Sequence, residues 1–428
     1  MIDFRNSPVV ERLCDDVRTF VEEVCRPAEA ADTEPHGPSD ELRRQLQEAA
    51  RRAGVFAPQV DCCLGGHGIT LVAQCAVLEA AGRSLLGPLA LNAMAPDEGN
   101  MHLLSHVGDP QQRERYLVPL AAGDTRSCFA MTEPPPGAGS DPGMLQTTAV
   151  RVDGGWSITG RKWYITGADG AAFAICMART DEQIRRGRGA TMFLVEADNP
   201  GMRMVRLMDT IDRCFVGGHA ELSFDDCLVP DSAVLGEVGK GYDYAQVRLG
   251  PARLTHCMRW TGLAAEALDV TSRHVNEREA FGMPLGRHGK VIDDIASCLT
   301  DLESARLLTL RAAWALQVGA RDGLSRSSMA KSYVGEVCHR VIDRCVQVLG
   351  GLGVSHDGPV ARYAQEVRPF RVYDGPTEVH RWSIGRRHLR DVAARAAAGA
   401  APPGPSPAGP APRRGARPAG REIAPPVS

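Results

Sequence analysis

Among the 13 cysteines no two stand in a Cys-x-x-Cys spacing, so the chain lacks the commonest signature of a zinc site or a dithiol redox centre, and no metal site is expected. Most of those cysteines sit inside apolar helical or strand patterns, where Cys behaves as a small hydrophobe, and a reducing compartment fits that usage. Nor is there an apolar run approaching the ~18–20 residues that a membrane span requires. The first residues, MIDFRNSPVVERLCDDVR, carry Asp3, Glu11, Asp15 and Asp16 and have no apolar core, which argues against a signal or transit peptide and for a cytoplasmic protein. Charge of one sign is also missing. A net charge of -3 with 24% charged residues gives no electrostatic case for nucleic acid, and the one arginine-bearing low-complexity stretch lies at the end of the chain. Aromatics make up only 5%, so those that stand beside polar groups carry more weight.

With 428 residues, 43% of them hydrophobic, the chain is long enough for two or three cores. Val10, Leu13, Val17, Phe20 and Val24 recur at helical spacing after Ser7-Pro8, and Pro27 is expected to stop that helix. Helical patterns continue through 41–54, 69–82 and 110–122, and an all-helical domain is expected over 1–122. From Thr147 the texture changes. AVRV and WSIT flank Asp153-Gly154-Gly155 as a hairpin, and AFAICMA, TMFLVEA and AELSF are short apolar or alternating runs, so a β domain is expected over 123–236. Helical spacing returns after Gly239 and runs until Gly350-Gly351, giving a helical domain over 237–396. Residues 397–428, rich in Pro, Ala and Gly, cannot form a core and read as a disordered tail.

Five stretches carry possible chemistry. CFAMTEPPPGAGSD (128–141) has glycines that let backbone N–H groups approach an anion, with Thr132 and Ser140 as hydroxyls; it reads equally as a Pro/Gly-rich linker. GRKWYITG (160–167) sets two aromatics beside Thr166, suited to stacking on a flat ring or to packing as a buried strand edge. REAFG (278–282) and QVLGGLG (347–353) read as helix ends. In RVYDGPTEVH (371–380), Asp374 either opens a turn or acts as a base, and a tight Asp-Gly turn can do both by aiming the carboxylate.

In this order, TEP…GSD, aromatic-x-Thr, R-x-x-F-G, Q-x-L-G-G-x-G and Tyr-Asp-Gly resemble the flavin-dependent acyl-CoA dehydrogenase family over about residues 5–395. APDEGNM, CFAMTEP, GRKWY, RLGPARLTHCMR, LLTL and DGPTEVH are most similar to the branch of acyl-CoA dehydrogenase family members ten and eleven, without the kinase-like half that those relatives can carry. The resemblance implies an α+β fold: an N-terminal helical domain, a middle β-barrel or sandwich, and a C-terminal four-helix bundle. It implies FAD as cofactor, an acyl-CoA or carrier-protein acyl thioester as substrate, an electron-transfer flavoprotein as acceptor, and a homodimer or dimer of dimers. A flavin oxidase or monooxygenase on the same scaffold is the alternative chemistry, and a catalytically quiet DNA-associated homologue the alternative of another class.

By the same resemblance, Phe129, Met131 and Thr132 line the flavin ring, Ser140 sits between the pyrophosphate and the thioester arm, and Tyr164 packs on the isoalloxazine, where many relatives have Trp. Ile165 and Thr166 follow, with Thr166 near N5. Arg278, Phe281, Gln347, Gly350 and Gly351 reach the FAD of a neighbouring subunit, joined by His288, whose neighbour Gly289 replaces a usual Gln. Thr377 and Glu378 touch the cofactor, while Arg253 and Gly375 face the substrate. The implied base is Asp374 where the family usually has Glu, with a pKa expected to rise toward working pH on burial between flavin and substrate. Two prolines are inserted between Glu133 and Gly137.

Overall fold

Ser7 accepts a hydrogen bond from the Val10 N–H and Pro8 takes the first helical position, so α1 (Pro8–Phe20) starts where the sequence marks it. The computed structural model describes residues 5–32, 34–181 and 189–397; the expected tail lies outside them apart from Ala397. Pro27 does not stop the first helix. Val21–Cys25 widen into a π-turn in which the Arg26 N–H donates to the Val21 carbonyl, and α2 (Arg26–Ala31) continues beyond it. The wider turn relieves the clash that a proline ring makes with the preceding turn of a regular α-helix. The same device recurs at Arg113–Leu117, between α7 (Pro110–Gln112) and α8 (Val118–Ala121), ahead of Pro119.

Ser39 caps α3 (Asp40–Arg52), and Thr70 caps α4 (Leu71–Ala81). Two helices escape the sequence reading, α5 (Gly87–Ala90) and α6 (Asp97–Val107). Both are largely buried all round, so neither shows an amphipathic stripe.

The middle region is one mixed sheet of β1 (Ser127–Ala130), β2 (Thr148–Val152), β3 (Gly155–Thr166), β4 (Phe173–Arg179), β5 (Ala190–Glu196), β6 (Met202–Leu207), β7 (His219–Pro230) and β8 (Val234–Leu235). The pairing order is β6-β7-β3-β2-β4-β5-β8, with β1 beside β4 in parallel. Val152 pairs with Gly155, so the expected hairpin turns on Asp153-Gly154, where Gly154 takes φ +74°. β4 and β5 are apolar on both faces and lie inside the sheet, whereas the short β1 and the exposed β6 lack a legible pattern.

Three long helices follow: α9 (Gly241–Glu277), α10 (Gly289–Gln317) and α11 (Gly323–Leu349). Ser327 donates to Gly250 O and Thr261 lies against Cys338, equal offsets that make α9 and α11 parallel. Asp301 of α10 holds Arg340 and Arg344 of α11, and only residues 318–322 join these packed helices, so α10 runs the other way. Between α9 and α10, β9 (Glu279–Ala280) and β10 (Met283–Pro284) form a hairpin that turns on Phe281-Gly282, both at positive φ. Then come α12 (Val360–Val367) and α13 (Thr377–Ala397). Described residues up to Arg387 belong to one compact unit, which contains every candidate site residue.

Candidate active site

The turn ahead of α13 is the centre of the site. Asp374 stands at φ +53° and Gly375 at φ +98°, and a Cβ on Gly375 would come within 2.7 Å of the His380 ring. Asp tolerates this left-handed backbone and Gly is required beside it. The main chain of the turn is held from three elements: Arg253 Nε of α9 donates to Asp374 O (3.1 Å), Lys331 Nζ of α11 donates to Gly375 O (2.6 Å), and His380 Nε2 of α13 meets Asp374 O at 3.1 Å. The carboxylate is thereby aimed by the fold. His256 Nε2 lies 3.0 Å from Asp374 Oδ2, yet without the alignment of a hydrogen bond, and that buried oxygen has no hydrogen-bond partner among the described residues.

Around Asp374 the interior is cationic. Arg248, Arg253, Arg259 and Lys331 are all buried, and none makes an ion pair among the described residues. Arg248 donates to Asn100 Oδ1 (2.8 Å) and lies over the Phe129 ring at 4.1 Å. Arg259 reaches the Tyr373 hydroxyl (3.3 Å), which also accepts from Trp260 Nε1. Glu98 accepts from the Thr255 hydroxyl at 3.2 Å. Burial pushes the Glu98 carboxyl up to about 7, against the pull of Arg248 and Arg259. Burial also takes Lys331 down to about 8 and His256 down to about 4, so His256 is neutral at working pH.

The expected rise in the Asp374 pKa is not what the chain's own groups produce. Burial raises it, but His256, Arg248 and Arg253 together outweigh burial and hold the carboxyl well below the usual range. Since His256 is itself neutral, the two arginines and the imidazole dipole account for the direction we assign. Asp374 is therefore ionised and able to accept a proton.

Arg248, which acts on Asp374, also lies over the ring of Phe129, and the TEP loop begins three residues on. Lys162 of β3 is fully buried and uses its three ammonium protons on Met131 O (3.1 Å), Glu133 Oε1 (2.9 Å) and Met177 O (2.7 Å). Glu133 in turn accepts from the backbone N–H groups of Ala138 (3.1 Å), Gln146 (2.6 Å) and Thr147 (2.9 Å). Trp163 N–H donates to Thr132 O at 3.0 Å, which ties the aromatic stretch of β3 to the loop. Phe129 and Met131 are half-buried, Ile165 is buried, and Tyr164, at φ +52°, leaves 48% of its surface exposed. Thr166 Oγ1 contacts His219 Nδ1 at 3.0 Å.

The remaining expected positions lie elsewhere. Arg278 is ~37 Å along α9 from Arg253, at 1.5 Å per residue over 25 residues, so it cannot touch the Asp374 turn of its own chain. Phe281 is 94% exposed at the hairpin tip, and Gln347, Gly350 and Gly351 are exposed at the end of α11, which the parallel packing brings to the same end of the bundle. His288 is half-buried there, its Nε2 3.1 Å from Ala280 O. Thr377 is buried at the start of α13 and Glu378 is exposed.

Comparison with known proteins settles the family. Residues 7–124, 128–227 and 239–389 match, in turn, the N-terminal, middle and C-terminal domains of acyl-CoA dehydrogenase. This chain belongs to the acyl-CoA dehydrogenase family. It is 40% identical over 336 residues to a probable acyl-CoA dehydrogenase, FadE2, of Mycobacterium tuberculosis, covering 77% of this chain and 82% of that protein. It is 36% identical over 400 residues to acyl-CoA dehydrogenase family member 10 of Mus musculus, covering 90% of this chain but only 37% of the relative's length. Among solved structures, a putative acyl-CoA dehydrogenase from Mycobacterium abscessus superposes with a TM-score of 0.83 at 36% identity, covering 91% of this chain and all of that one.

Sequence reasoning on this family member missed Glu98, Arg248, His256, Arg259, Lys331 and His380. The signal existed in RLGPARLTHCMR: four ionisable residues inside a helix whose other faces are apolar and buried.

Proposed function

We propose that this chain is an FAD-dependent acyl-CoA dehydrogenase that introduces an α,β double bond into an acyl thioester, with Asp374 as base. The observation that carries the reading is the Asp374 carboxylate itself: ionised, aimed by a turn fixed from three helices, and with Oδ2 lacking a hydrogen-bond partner. A buried carboxylate oxygen without an aligned donor is costly, a cost that is kept at sites that do chemistry.

The residues present fit a flat cofactor. The side-chain hydroxyls of Thr132 and Ser140 have no hydrogen-bond partner among the described residues, and the exposed Tyr164 ring offers a face for stacking. Phe129, Met131, Thr132, Ser140, Tyr164, Ile165 and Thr166 would hold FAD, with Thr377 and Glu378 contributing from α13. When bound, FAD would supply the two-electron acceptor for the hydride that leaves Cβ. Asp374 takes the proton from Cα as that hydride departs, and a backbone N–H in the turn stabilises charge developing on the thioester oxygen. Arg253 and Gly375 fix the place of the substrate beside the carboxylate.

Arg278, Phe281, His288, Gln347, Gly350 and Gly351, gathered far from this chain's own base, would complete the cofactor site of a second copy, which makes a homodimer or dimer of dimers the working form. An electron-transfer flavoprotein would be the acceptor. The purified protein should be yellow with FAD near one per chain, and an anaerobic panel of acyl-CoAs should bleach it. A colourless preparation that cannot be reconstituted with FAD contradicts the reading.

A further inference from the structure

A buried histidine inside α9 is the feature the proposed reaction leaves unused. His256 is 4% exposed, with apolar Leu254 and Cys257 beside it and Trp260 one turn on, all equally buried. Its ring is set edge-on to Tyr373 at 4.9 Å and tilted against Phe370 at 6.2 Å, so its orientation is fixed by packing. What that packing achieves is to bring Nε2 to 3.0 Å from Asp374 Oδ2, the oxygen that has no hydrogen bond. No other side chain of the described residues contacts that oxygen within 4 Å with a cationic or imidazole nitrogen.

An aspartate base is one methylene shorter than a glutamate, so its carboxylate has little reach to correct a misplaced backbone. The Asp374 backbone is pinned through its carbonyl, which leaves only side-chain torsions to decide where the carboxylate points. A fixed N–H beside the far oxygen can decide those torsions and leave Oδ1 for the substrate. We infer that His256 is the positioning residue for Asp374: the N–H of its neutral ring, 3.0 Å from Oδ2 but out of line with it in this structure, comes into line when the carboxylate takes the rotamer used for proton abstraction, and so selects that rotamer. The inference rests on Asp374 being the base. Neutrality matters because an imidazolium would draw the carboxylate into a tight ion pair and weaken it as a proton acceptor. Burial and Arg259 keep His256 uncharged, with Lys331 adding to them and Asp374 opposing. Arg248 and Arg253 face Asp374 in addition.

Two near-isosteric variants separate aiming from packing: in His256→Gln the new amide nitrogen can reach the place of Nε2, and in His256→Asn the shorter side chain cannot. The measurements on His256→Gln, His256→Asn and Asp374→Asn holoenzymes are anaerobic flavin reduction by an acyl-CoA across pH and infrared titration of the carboxylate that disappears in Asp374→Asn. His256→Gln should reduce within a few-fold of wild type, and His256→Asn about 10- to 100-fold more slowly with acyl-CoA affinity kept, the range that ångström-scale misplacement costs. With its donor gone, the Asp374 carboxyl of His256→Asn should titrate at higher pH, moving the acid limb of the rate profile the same way. If His256→Asn matches wild type in rate and titration while Asp374→Asn is slow, the inference fails and the base assignment stands. If Asp374→Asn is as fast as wild type, both fail.

Discussion

Two buried charged sites among the described residues differ in how completely they are satisfied. At Glu133–Lys162 every ammonium proton and both carboxylate oxygens are hydrogen-bonded, to each other or to the main chain of the TEP loop and its neighbouring strands. At Asp374 the reverse holds among the described residues: four buried cations lack ion pairs, one carboxylate oxygen has no hydrogen bond, and Arg259 Nε has none either. A closed network rigidifies, and an open one is tolerated where a ligand or a reaction completes it. We read the first site as the frame that shapes the cofactor loop and the second as the place where chemistry occurs.

Breaking the frame should give the largest change in stability. Lys162→Met leaves Glu133 buried and unpaired, and should cost roughly 3–5 kcal/mol in chemical denaturation. The loss should depend on pH in a definite direction. Burial raises the Glu133 pKa, but Lys162 and the loop N–H groups outweigh it and hold it below its unfolded value. Its contribution is therefore present above the unfolded carboxylate pKa and fades as pH falls through the folded one, so the gap between variant and wild type should narrow in acid. A gap constant from about pH 7 down to about pH 3 would mean that the pair is not the source.

The second test sharpens the comparison from the far end of the bundle. Arg278→Ala should lose FAD and weaken assembly while leaving the Asp374 turn and the chain's fold intact; a monomer that holds FAD normally would overturn the shared site. The smallest effect is expected for removal of residues 400–428, whose Pro- and Ala-rich composition offers little apolar surface to bury. Thermal midpoint and turnover should stay unchanged, and a drop of several degrees would show that the segment docks.

How legible each site was in the sequence follows from the same contrast. The strands flanking Asp153-Gly154 alternate and turn on a short-range signal, and Gly350-Gly351 ends α11 as read. Pro27 misled because proline rules describe a regular helix, and a π-turn evades them. The proposed role of Asp374 was legible through its turn and the family resemblance, but the ring of ionisable groups around it was not. Arg248, Arg253 and His256 come from one helix, Lys331 from another and Glu98 from a third, and only tertiary packing brings them together. Within the chain alone the Asp374 shift runs downward, because His256 and Arg248 join Arg253 against burial; the expected rise concerns the carboxyl enclosed between flavin and substrate.

Asp374→Asn tests the central claim most directly, because it keeps the side chain's size and its tolerance of the left-handed turn while removing proton abstraction. Measured by rapid mixing with the best acyl-CoA under anaerobic conditions, flavin reduction should slow by about 10²–10⁴-fold, with FAD content and stability retained. Reduction at the wild-type rate would contradict the account and return Asp374 to the role of a turn former.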